Sequence, residues 1–364
     1  MRVLAVNAGS SSLKLVLVDP DDGVVARHEF RAPNGRFDNQ EVEEVLSRFP
    51  DCDAVGHRIV HGGDRFRHAV VLNRSVLAAL TELVELAPLH QPPALAAHAI
   101  VKRALPRVPA VGCFDTAFHA TLPPDAYTYA LPRPWRENWG VRRFGFHGLS
   151  HAYASRRAAA MTGAHKIVVC HLGAGASLAA VLDGRSIDTT MGFTPVEGLV
   201  MATRPGNVDP GALLWLLQRR AVDVDQMAEG LERRSGLVGL AGTGEMRELL
   251  ERDDHDAALA VGVYIHRLKG GIATMAAALE GLDALVFTGG VGQRSGPVRK
   301  DATRGLGFLG VEVDDARNER ASGDTDIGAP AARVRTLVID SREDLEIARQ
   351  VRAVLRRDET RGNP

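Results

Sequence analysis

VLAVNAGSSSLKLVLVDPDDGVVARHEF, residues 3–30, places three apolar runs around two turns, the first of them built from Asn7, Gly9, Ser10, Ser11 and Ser12. Val3 to Val6 and Leu13 to Val18 have strand length and strand composition, Asp22-Gly23 is a turn signal, and VVARHEF is a third run. The stretch therefore reads as an antiparallel meander. Its order returns in IVVCHLGAGASLAAVLDGRSIDTT, residues 167–190: apolar run, Gly-rich turn, apolar run, Asp-Gly turn, third run. Two such meanders in one chain point to an internal duplication.

The remainder fits an α/β protein. QEVEEVLSRF, SVLAALTELVELA and PPALAAHAIVKRAL have helical spacing, the last opening on prolines that suit a first turn. DAVGHRIVHGG and VPAVGCFD are strands, the second running into Asp115. Beyond residue 190 the chain is largely helical (PGALLWLLQRR, VDQMAEGLERR, EMRELLERD and Ala257 to Leu282) until the strand ALVFTGGVGQRSG, the strand VRTLVID and a last helix from Arg342. ARNERASGDTDIGAPAA is expected to be a loop.

With 364 residues, 45% of them hydrophobic, length alone favours two domains over one. Basic and acidic side chains number 44 and 45, which leaves no global field toward nucleic acid or an anionic membrane. Anionic ligands then need local cations. Cys52, Cys113 and Cys170 are odd in number and lack metal-ligand spacing, as expected of reduced thiols in a cytoplasmic protein. No apolar run has the length of a signal peptide or a membrane span.

Four Gly-rich turns each follow a strand: NAGSSSLK, HGGDRF, HLGAGAS and TGGVGQRSG. Glycine lets backbone N–H groups approach an oxyanion, and serine adds donors. None matches the Walker or the dinucleotide fingerprint, and together they favour a polyphosphate held between two domains. Arg58 and Arg204 lie beside turn-formers, where a guanidinium can fork onto carboxylate or phosphate oxygens. Asp115 and Glu343 are candidate Mg²⁺ ligands, although an acid in a first helical turn is also expected from the macrodipole. His147 and His151 are four apart, but Gly148 and an N-cap at Ser150 put His147 before the helix, which argues against a zinc pair. His147 reads as a donor to a developing oxyanion, and His90 lies near a helix start.

VNAGSSSLK, GHRIVHGGDRF, LAPLHQPPA, VGCFDTAFH, RRFGFHGLSHAY, VCHLGAGASL, DTTMGFTPVEGLVMATRPGNVDPG, FTGGVGQRSG and VRTLVIDSREDLEIA, in this order, resemble the acetate kinases over nearly the whole chain. The resemblance implies two duplicated actin-like (ribonuclease H-like) domains around an interdomain cleft, with residues 1–117 plus 344–364 forming one and 118–343 the other, and usually a homodimer. It implies reversible, Mg²⁺- or Mn²⁺-dependent phosphoryl transfer from ATP to acetate. On that pattern Asn7, Ser10, Ser12 and Lys14 line the phosphate end. His171, Gly173, Ala174 and Gly175 form a second phosphate loop, and Gly289, Gly290, Val291, Gly292 and Gln293 an adenosine loop. Arg58 and Arg204 would bind acetate and the phosphoryl group with His147 and His90 as donors, while Asp115 acts at the acetyl side. Val60, Leu89, Phe146 and Pro195 would surround the acyl methyl, and Asn7 and Glu343 the metal.

The chain departs from the family pattern at Ala174 and Ala176, where an amide and a hydroxyl are usual, at Gln293 and Arg294 for Glu and Asn, and at Gln91 for Asn. The acyl side is intact and the donor side edited. Three alternatives stay open: a propionate or butyrate preference, another donor such as pyrophosphate, and a nucleotide-binding sensor without catalysis.

Overall fold

The computed structural model describes residues 1–364 apart from Ser10, Ser11, Pro33, Asn34, Arg36, Leu89 and 362–364, and apart from the side chains of 358–361. The expectations for Ser10 and Leu89 thus lie outside the described residues. The chain packs as two units: Met1–Ala120, Phe146–Tyr153 and Arg342–Pro364 form the first, and Thr121–Gly145 and Ala154–Ser341 the second. The return of Phe146–Tyr153 to the first unit has no marker in the sequence.

In the first unit β1 (Val3–Ala8), β2 (Ser12–Val18), β3 (Val24–Arg31), β4 (Ala54–Ile59), β5 (Val70–Val71) and β6 (Ala110–Phe114) form one sheet in the order β3-β2-β1-β4-β6-β5. Parallel β1, β4 and β6 are its centre, the meander flanks them on one side, and β5 pairs antiparallel with β6 on the other. The second unit repeats this with β7 (Lys166–Leu172), β8 (Ala176–Leu182), β9 (Arg185–Thr189), β10 (Ala284–Thr288), β11 (Thr325–Asp326) and β12 (Arg335–Val338), in the order β9-β8-β7-β10-β12-β11 and with the same strand directions. The duplication thus covers every strand of both sheets. Even the irregularity is shared, since the meanders slip register at Leu17/Val18 and at Ala180/Val181. Leu17 faces Leu4 and Ala180 faces Val168, which superposes Asn7 on His171 and, through β4 and β10, Arg58 on Thr288.

Two expectations need correction. ARNERASGDTDIGAPAA is not simply a loop: the Asp315–Glu319 helix reaches into it and it carries edge strand β11. The N-cap is not Ser150 either, because the helix runs Gly148–Thr162 and Ser150 is buried inside its first turn. His147 nevertheless precedes the helix, as expected, and its carbonyl accepts from the His151 amide at 3.0 Å.

Strand β1 shows why the first sheet is buried on both faces. Leu4, Val6 and Ala8 point to a core shared with the Asn39–Ser47 and Gln91–Ala104 helices, and Val3 and Ala5 to a second core with Ile347 and Val351 of the Glu343–Arg361 helix. Gly56 of β4 makes this close packing possible, since a Cβ there would lie 2.3 Å from Ile347 Cγ2. In the second unit the His255–Ala278 helix buries Ala257, Ala260, Tyr264, Leu268, Ile272 and Met275, a stripe at helical spacing. Among the described residues no helix is long and apolar enough to cross a membrane.

Candidate active site

Three neighbouring parallel strands of the first unit end together, the place where open α/β sheets bind ligands. Asn7 and Arg58 are the penultimate residues of β1 and β4, and Asp115 follows β6, its amide donating to Ile59 O at 3.0 Å. Arg58 Nη2 donates to Asp115 Oδ2 at 2.6 Å, Nε reaches both carboxylate oxygens at 3.1 Å, and Nη1 donates to Asn7 Oδ1 at 3.0 Å. Asn7 Nδ2 in turn donates to Glu343 Oε2 at 2.8 Å. Burial works against the Arg58 cation, but Asp115 and Glu343 outweigh it and raise its pKa above the usual arginine value. The guanidinium is therefore charged and fixed before any ligand arrives.

His147 is brought beside this group by backbone packing. The Gly148 amide donates to Asp115 O at 3.0 Å, and a Cβ at Gly148 would stand 2.0 Å from that oxygen, so only glycine fits. His147 itself adopts φ 56°, a left-handed conformation uncommon for a residue with a side chain. Phe146 is buried with its ring 5.5 Å from that of His61, and its carbonyl lies 3.0 Å from His119 Nε2. Val60 is buried, and His90 caps the Gln91–Ala104 helix. Gln91 proves to be a brace: fully buried, its amide donates to His61 O and accepts from His61 N, tying the helix start to the exit of β4. Lys14 lies opposite Asn7 in the β1–β2 ladder and pairs with Glu29 at 3.3 Å. Ser12 O accepts from Gly9 N at 2.8 Å.

In the second unit His171 is the penultimate residue of β7, and Gly173 N donates to Gly175 O across the hairpin. Ala174 O accepts from Ala202 N at 3.0 Å, which joins this turn to the MATR segment, and Met201 N donates to Arg204 O to close that segment. Gly236 packs so tightly on it that a Cβ would be 2.1 Å from Met201 O and 2.6 Å from Arg204 O. Arg204 Nη1 donates to Pro195 O at 2.7 Å, and burial, partly offset by Glu232, lowers its pKa. It has no ion-pair partner among the described residues, unlike Arg58. GGVGQR does not form a loop; it is a short helix, Gly289–Arg294, that starts directly after β10, with Gly289 at φ 77° against Leu172 O. Gln293 donates to Ile339 O, and Arg294 folds back onto Gly290 O.

Among the described residues no group of three or more His, Cys, Asp or Glu side chains is placed to enclose a metal. One carboxylate beside an amide, as at Glu343 and Asn7, does fit Mg²⁺, which keeps waters and substrate phosphate and takes few protein ligands. Sequence reasoning missed the partners that fix these groups, namely Gln91, Gly148, Gly236 and the Pro195 carbonyl. Gly148 sits within a quoted motif, but only its contact with Asp115 O shows why it is glycine.

Residues 34–349 match the Acetokinase family. The chain is 40% identical over 390 residues to a protein named acetate kinase from Carboxydothermus hydrogenoformans, covering 96% of this chain and 98% of that one. The structure is similar to that of Porphyromonas gingivalis acetate kinase, with TM-score 0.88, 34% identity and coverage of 97% and 99%. It is also similar to a propionate kinase from Francisella tularensis, with TM-score 0.89, 33% identity and the same coverage. A duplicated actin-like fold, the arginines of the matching motifs and this extent of similarity all lead to one assignment: the chain belongs to the acetokinase family.

Proposed function

We propose that the protein catalyses reversible transfer of the ATP γ-phosphoryl group to acetate, giving acetyl phosphate and ADP. The observation that carries the reading is the chain of contacts from Asp115 through Arg58 and Asn7 to Glu343, which prepares a fixed cation and a metal-suited carboxylate at one strand end. Acetate is ionised at neutral pH and needs no general base. One of its oxygens attacks phosphorus in line, the bond to the bridging oxygen breaks, and that electron pair leaves with ADP. Catalysis then reduces to positioning and charge neutralisation.

Roles follow chemistry. Arg58 and Arg204 are assigned to equatorial oxygens of the phosphoryl group and to acetate, with His147 and His90 as further donors. Val60, Leu89, Phe146 and Pro195 are assigned to the methyl, and Asp115 to holding Arg58 and polarising the acyl side. Asn7, Ser10, Ser12 and Lys14 take the phosphates together with His171 and the Gly173–Gly175 turn, and Gly289 to Gln293 take the adenosine. Asn7 and Glu343 would hold Mg²⁺, which when bound neutralises charge on the donor phosphates. Cys113 and Cys170 are buried free thiols, in keeping with a cytoplasmic setting. A homodimer is supported by the Pro210–Gln218 helix, PGALLWLLQ, none of whose residues is buried.

Trapping acyl phosphate as the hydroxamate tests the reading. Product is expected from acetate, ATP and Mg²⁺, with kcat/KM for propionate within the ~10–200-fold that one methylene commands in an apolar pocket and butyrate, two methylenes longer, further removed. Product with pyrophosphate alone would transfer the donor assignment. Tight ADP binding with no acyl phosphate from any donor or acid would replace catalysis by a sensor role.

A further inference from the structure

Pro195 O, the acceptor for Arg204, belongs to a turn that several half-buried polar groups hold from behind. Tyr129 Oη donates to Glu197 Oε2 and accepts from Phe193 N at 3.0 Å. Arg143 Nη2 donates to Glu197 Oε1 at 2.7 Å, while its Nη1 donates to Thr190 O and Met191 O at 3.0 and 2.9 Å. Gly192 lies against the same group, since a Cβ there would be 1.7 Å from Glu197 Oε2 and 2.1 Å from Tyr129 Oη. On the far side Gly198 and Asn207 exchange two hydrogen bonds of 3.0 Å and close the segment that carries Arg204. Burial, reinforced by Glu197, raises the Tyr129 pKa, so the phenol remains a donor at neutral pH.

We propose that Tyr129, Arg143 and Glu197 are positioning residues for Arg204: they fix the 190–197 turn and, through Pro195 O, aim the guanidinium at the acceptor carboxylate. The physical case is one of compensation. Arg58 is oriented by a carboxylate, which also spends part of its charge, whereas Arg204 is oriented by a carbonyl and keeps its full charge for a ligand. A carbonyl is a weaker anchor than a carboxylate. Its own position must therefore be rigid, and the Tyr129–Glu197–Arg143 group makes it so. The proposal rests on the assignment of Arg204 made above.

A double-mutant cycle tests it. Glu197→Gln and the milder Tyr129→Phe are each made in the natural chain and in Arg204→Ala, with kcat, KM for acetate and KM for the donor measured by hydroxamate formation. Glu197→Gln is expected to lower kcat on the order of ten- to a hundredfold and Tyr129→Phe about tenfold, with donor KM changed less than about twofold. In the Arg204→Ala background both losses should shrink to less than about threefold, because a residue that acts through Arg204 has nothing left to position. Equal fold losses in the two backgrounds, or a rise in donor KM that matches the rise for acetate, would overturn the proposal and leave a general structural role. Full activity of Arg204→Ala alone would remove Arg204 from the mechanism, a distinct failure. Should Glu197→Gln not fold, the Tyr129→Phe arm decides.

Discussion

Arg58 and Asp115 are a buried ion pair whose side chains are 16% and 2% exposed, and such a pair is costly to break from one side. Asp115→Ala strands the Arg58 cation and is expected to lower unfolding stability by about 3 kcal/mol in urea titration, the low end for a pair that retains some solvent. Arg58→Met with Asp115→Leu should recover much of that loss, and a single variant as stable as the natural chain would refute the burial argument. At this scale the sequence was informative where chemistry and turn signals coincide. Asn7, Arg58 and Asp115 stand at strand ends beside glycine or an apolar run, so they could be named without coordinates. Gln91 could not: it looked like an altered ligand-side residue, and only the two hydrogen bonds to His61 reveal a support.

Elements deliver these side chains, and glycine sets how close the elements come. Gly148→Ala would drive a methyl into Asp115 O, so the His147 turn and the Gly148–Thr162 helix must retreat. Overpacking of this kind costs about 1–3 kcal/mol, and a displacement near 1 Å can cost about a hundredfold in rate. We expect at least a tenfold fall in kcat with only a modest drop in melting temperature, read by turnover and circular dichroism; unchanged turnover would show that the turn tolerates retreat. The long helices and central strands were legible from periodicity and caps. Edge strands β5 and β11 were not, because two-residue strands carry no alternation to read. The Gly289–Arg294 helix was hidden for another reason, its glycines reading as a loop.

Across the whole molecule the duplicated meander was the legible feature, and it extends to all six strands of each sheet. What the sequence left open was the apolar Pro210–Gln218 helix, whose Leu214 and Trp215 are 56% and 54% exposed. Large solvent-facing apolar side chains on one helix mark an interaction face. On the proposed dimer, Trp215→Asp is expected to turn a dimeric natural chain into a monomer in sedimentation velocity at micromolar concentration; a monomeric natural chain would overturn the dimer, and an unchanged sedimentation coefficient would overturn this face as its contact. The shared register slip has a consequence of another kind. The slip lies between the second and third strands of each meander, at Leu17/Val18 and Ala180/Val181, and leaves the turn between the first two strands free to differ: the ladder closes at Ala8↔Leu13 in one copy and at the tighter Leu172↔Ala176 in the other. A library randomised at exposed Ala174 should yield folded proteins that differ in donor preference more than in stability, whereas fully buried Ala176 should accept only small residues.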